Sequence, residues 1–69
     1  MTMYVTINRT RTGLILKAAN TGFADFVKIF TGKKGDSLKI PAGMLTKVLY
    51  DIADYANNTL NMAVLFEVE

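Results

Sequence analysis

Sixty-nine residues with no cysteine, no histidine and a net charge of +2 leave room for one domain, residues 1–69. They exclude a disulfide framework, thiolate chemistry and any metal site other than one built from carboxylates alone. A chain this short buries only about 60% of its unfolded surface, yet 51% of its residues are hydrophobic, so a homodimer or larger oligomer is expected to supplement the core.

Met3 to Asn8 alternates, with Met3, Val5 and Ile7 on one side and Tyr4, Thr6 and Asn8 on the other. Period two with β-branched and aromatic residues predicts a strand, and its parity gives Tyr4 to a wet face. Arg9 to Gly13 reads as a hairpin loop, with Gly13 able to take a positive φ. A second strand follows at Leu14 to Ala19, then a turn at Asn20-Thr21-Gly22.

Phe23 to Thr31 is read as a third strand, with Phe26, Lys28 and Phe30 sharing one face and Val27 and Ile29 the other. Gly32-Lys33-Lys34-Gly35 is then a hairpin tip. A fourth strand, Asp36 to Ile40, turns Leu38 and Ile40 inward and Ser37 and Lys39 outward.

Pro41 opens a change of rhythm, and proline suits a helix start because its missing N–H would be unpaired there. Leu45, Val48, Leu49, Ile52, Tyr55 and Ala56 recur at helical spacing, with Thr46, Lys47, Asp51 and Asp54 on the solvated side. Tyr50 and Tyr55 read as helix packing and boundary residues. Asn57-Asn58 ends the helix in the left-handed conformation, and Leu60 to Val68 alternates as a last strand. The fold class expected is α+β: an antiparallel sheet in the order β-β-β-β-α-β, with one helix packed on one face.

The charge is unevenly placed. Residues 1–40 carry seven cations against Asp25 and Asp36, giving +5, while residues 41–69 carry Lys47 against four carboxylates, giving −3. Such asymmetry speaks to partners: a basic surface for nucleic acid, or a head-to-tail match between subunits. The alternating opening holds no secretory h-region, and the longest apolar run, Met62 to Phe66, is far short of a membrane span. A cytoplasmic protein with no membrane partner is expected.

Catalysis needs groups of tunable pKa held close together. Without His or Cys the candidates are weak: Asp51 and Asp54 read as a solvated helix surface, and Gly32-Lys33-Lys34-Gly35 lacks the spacing of a phosphate-binding loop. The expectation is a binding protein, not an enzyme, with no cofactor and no metal.

Phe26-x-Lys28-x-Phe30 is the most informative triplet. Facing outward, its two rings would stack bases at about 1–3 kcal/mol each while basic groups track the phosphates. Lys33, Lys34, Lys39, Arg9 and Arg11 would line the same groove. Two other readings stand beside this one: the rings as core, with Lys28 reaching an edge, or the rings as a subunit interface rimmed by charge.

The run Gly32-Lys33-Lys34-Gly35-Asp36-Ser37-Leu38-Lys39-Ile40, followed by the helix opening Ala42-Gly43-Met44-Leu45, resembles positive-cofactor-four-like single-stranded DNA-binding proteins over residues 24–56. In that family a basic glycine hairpin leads into a short strand, and a helix with leucine and isoleucine at helical spacing packs across the curved sheet. Ser37-Leu38 and Leu45, Leu49 and Ile52 fit. The resemblance implies a dimer that cradles single-stranded nucleic acid without a cofactor, with Lys33 and Lys34 inside the matching motif. The strand after the helix and the lack of a large aromatic early in it depart from the family pattern.

The function expected is therefore a small oligomeric single-stranded nucleic-acid-binding protein using Arg9, Arg11, Phe26, Lys28, Phe30, Lys33, Lys34 and Lys39. The alternative is a protein-interaction or inhibitor module, of the kind carried by phages or mobile elements, docking through its sheet face or C-terminal strand.

Overall fold

In the computed structural model, which describes residues 1–69, the alternating opening segment is strand β1 (Thr2–Arg9), which turns back through residues 10–13 into β2 (Leu14–Lys17). The two pair antiparallel, Arg9 beside Leu14 and Thr6 beside Lys17. Gly13 does not take the positive φ expected of it; that conformation belongs to Gly32 and Asn61. Gly13 is needed for space instead, because a Cβ there would lie 2.3 Å from the backbone oxygen of Ile40.

The third expected strand is a helix, α1 (Thr21–Thr31). Phe23, Phe26, Val27 and Phe30 stand at helical spacing, and the first three are buried. Asn20 lies in the segment read as a turn and is the N-cap. Its Oδ1 accepts from the N–H groups of Gly22 at 2.8 Å and Phe23 at 3.3 Å. Gly32 closes the helix at φ 91°, its N–H donating to the Lys28 carbonyl.

Residues 32–36 lead into β3 (Ser37–Ile40), which pairs antiparallel with β2. Pro41 then precedes a 3-10 turn (Ala42–Met44) and helix α2 (Leu45–Asn58). Asn57 and Asn58 stay inside that helix, and the left-handed residue is Asn61, φ 53°. The last strand, β4 (Ala63–Val68), pairs with β1 in parallel.

The fold is α+β, with a four-stranded mixed sheet of order β3-β2-β1-β4 and two helices. The purely antiparallel sheet and the single helix expected from sequence are corrected here. β3 runs with β1, α2 carries the chain back across the sheet, and β4 therefore enters in β3's direction, parallel to β1.

One face of the sheet makes the core. Met3, Val5, Ile7, Leu14, Leu16, Leu38 and Ile40 share a single cluster with Phe23, Phe26 and Val27 of α1 and Val48, Ile52 and Ala56 of α2. Both helices thus cover the same face. No helix is long and apolar enough to cross a membrane.

Candidate nucleic-acid interface

Because every buried strand residue points to the helices, the alternate residues make up an open face. Thr2, Tyr4, Thr6 and Asn8 of β1, Ile15 and Lys17 of β2, Ser37 and Lys39 of β3, and Ala63, Leu65 and Glu67 of β4 lie there. The register aligns Ser37, Lys17, Thr6 and Glu67 in one row across the sheet, Lys39, Ile15 and Asn8 in the next, and Tyr4 beside Leu65 in a third. Tyr4 is 64% exposed and Leu65 56%. Lys17 and Lys39 are exposed diagonal neighbours on adjacent strands, about 7–8 Å apart at Cα.

Next to this face lies the β1–β2 turn. A cleft of about 330 Å³ opens between residues 10–15 and Lys39–Pro41, with Arg11 and Lys39 among its lining residues. An adjoining groove is lined by Arg9, Arg11, Ala42 and Leu45. Arg11 thereby continues the basic line of Lys17 and Lys39 off the end of the sheet, while Arg9, with the parity of Ile7, sits toward the helices.

Only two ion pairs form: Lys34 with Asp25 at 3.2 Å and Lys47 with Asp51 at 2.8 Å. Arg9, Arg11, Lys17 and Lys39 are free of carboxylate partners. The open face keeps a net positive field, with Glu67 as the acid in the Lys17 row.

The expected platform of Phe26, Lys28 and Phe30 does not form on the sheet, because a helix places those residues about 100° apart instead of alternating. Phe26 is buried at 6% exposure, its ring centroid 6.1 Å from Phe30, 6.5 Å from Phe23 and 5.8 Å from Tyr55. Phe23 and Phe26 belong to the core and Tyr55 packs against it from α2, while Phe30, 38% exposed, stacks on Phe26 from the surface of α1. Lys28 is exposed on α1. Lys33 and Lys34 lie in the loop entering β3 at Ser37, beside Lys17, at the end of the sheet opposite Arg9 and Arg11. Lys34 is further drawn to the helix layer by Asp25. Of the eight residues singled out from sequence, Arg11 and Lys39 line one cleft, Arg9 and Arg11 the adjoining groove, and Lys28, Lys33 and Lys34 stand apart from them.

Tyr4, Ile15 and Lys17 are the members of this surface that the basic-aromatic reading left out. Parity gave Tyr4 to a wet face, but the run Leu14-Ile15-Leu16 offers no alternation to place Ile15 and Lys17, whose face is set by their pairing with Asn8 and Thr6. Tyr55, taken as a packing residue, does pack on Phe26, whereas Tyr50 is 75% exposed.

Comparison of the chain with family models, curated proteins and solved structures finds no match.

Proposed function

We propose that this chain binds single-stranded nucleic acid across the open face of its sheet. The observation that carries this is that Lys17 and Lys39, free of carboxylate partners, share with the half-buried Ile15 a pleated surface that no helix covers, with the exposed ring of Tyr4 at one end of it and Arg11 at the other. A base can stack on a tyrosine only when its own stacking has been opened, which favours single strands over duplex, and cations tracking the backbone supply affinity without a base code. In this mode the protein acts by binding and needs no cofactor.

The test is a titration of a fluorescent thirty-mer oligonucleotide at several salt concentrations. With about three phosphates neutralised, log affinity is expected to fall against log salt with a slope near −2, from about −0.7 per phosphate on single strands. Lys17→Ala with Lys39→Ala is expected to weaken binding by about tenfold or more and to flatten that slope. Lys33→Ala with Lys34→Ala is expected to change it by less than about twofold, since both lie in the loop outside the strand face and Lys34 is engaged by Asp25. Absence of binding by micromolar protein at low salt would reject the proposal.

A further inference from the structure

The two edges of the sheet are built differently. β3 is a four-residue strand carrying Lys39 and running straight into Pro41, and shortness, lysine and proline are the usual protections of an edge. β4 is six residues long, Ala-Val-Leu-Phe-Glu-Val, with neither lysine nor proline.

Its backbone is half used. The Ala63 N–H donates to the Met1 carbonyl and the Glu69 N–H to the Ile7 carbonyl, so odd-numbered residues bond inward to β1. By strand alternation Val64, Phe66 and Val68 aim their N–H and C=O groups at the free edge. Leu65 and Val68 are 56% and 79% exposed there. The core is a single cluster of 15 buried residues, and no cysteine or cluster of metal-ligating side chains supplements it.

We infer that β4 is a dimerisation edge, pairing antiparallel with β4 of a second copy about a two-fold axis at Leu65 to join two sheets into one of eight strands. This does not depend on the nucleic-acid proposal. The segment is self-complementary in that register. Leu65 meets its own symmetry mate, and Val64 lies opposite the partner's Phe66 as a β-branched–aromatic pair, a favoured cross-strand combination. Glu67 falls opposite the partner's Ala63, so the two acidic ends lie far apart. A parallel arrangement would instead set carboxylate beside carboxylate. The outward groups of Val64 and Phe66 become the hydrogen-bonded pairs, which leaves Leu65 at a non-hydrogen-bonded position where facing Cα atoms approach to about 4.5 Å. That spacing is within disulfide reach.

The chain's lack of cysteine makes the test direct. Leu65→Cys, oxidised mildly at micromolar concentration, is expected to form a covalent dimer about tenfold or more faster than Tyr50→Cys, whose thiol is exposed on α2 away from the axis. Should the thiol variant fold poorly, Leu65→Lys and Leu65→Glu provide a second route. Each alone is expected to sediment as a monomer, and their equimolar mixture as a dimer. Equal cross-linking rates for the two thiols, a mixture that stays monomeric, or an unmodified chain with dimer Kd weaker than about 1 mM would each overturn the inference.

Discussion

Tyr4 and Phe26 differ in exposure, and the proposed function gives the two rings different roles. Tyr4 is 64% exposed on the open face, and Phe26 is 6% exposed among Phe23, Phe30 and Tyr55. Phe26→Ala leaves a cavity between α1 and α2 and is expected to cost about 3–5 kcal/mol, a large share of the 5–15 kcal/mol that holds a typical domain folded. Tyr4→Ala is expected to change stability by about 0.5 kcal/mol or less while weakening oligonucleotide binding through loss of about 1–3 kcal/mol of stacking. Denaturant melts and binding titrations on the two variants check this. If Phe26→Ala keeps its stability and loses binding, the two roles are reversed.

Among the elements, α1 is where sequence and structure part. Its sequence Thr-Gly-Phe-Ala-Asp-Phe-Val-Lys-Ile-Phe-Thr satisfies period two at Phe26, Lys28 and Phe30, and helical period at Phe23, Phe26, Val27 and Phe30. Over so short a window the two patterns coincide, and β-branched and aromatic side chains tilt the reading toward a strand. The signals that decide it flank the run: asparagine at position 20 and glycine at position 32 are a helix N-cap and C-terminal glycine. Asn20→Ala should therefore act through α1 alone. It is expected to cost about 1 kcal/mol, which in a domain this size lowers Tm by about 4–8 °C. An unchanged Tm would mean the cap contributes nothing. β1, β3 and α2 were legible from their periods, and β2 and β4 as short apolar runs bounded by polar or turn residues. Of the candidate surface, Lys39 was legible as an outward strand residue and Arg11 as a loop residue, whereas Arg9, read into the loop, closes β1 with helix-side parity. Tyr4 was legible as a member of a wet face, and Lys17 was not placed on a face at all.

For the whole molecule, what local pattern does not carry is which strands become neighbours. β1 and β4 lie at opposite ends of the sequence, and their parallel pairing depends on α2 carrying the chain across the sheet from one edge to the other. Once both helices are on one face, the other face is left open, and Lys17, Lys39, Ile15 and Tyr4 from three strands become one surface. Its chemistry arises from topology, since no contiguous segment holds it. The excess charge of the chain, +5 over residues 1–40, falls partly on this surface and partly on the α1 side, and the proposed interface uses the first of these.

The most direct measurement is amide chemical-shift mapping by NMR while a short single-stranded oligonucleotide is added. Shifts are expected to concentrate at Tyr4, Thr6, Ile15, Lys17 and Lys39 and at the Arg9–Gly13 turn, leaving α2 quiet. Shifts confined to α1 and the Lys33–Lys34 loop, or none at all, would contradict binding on the open face.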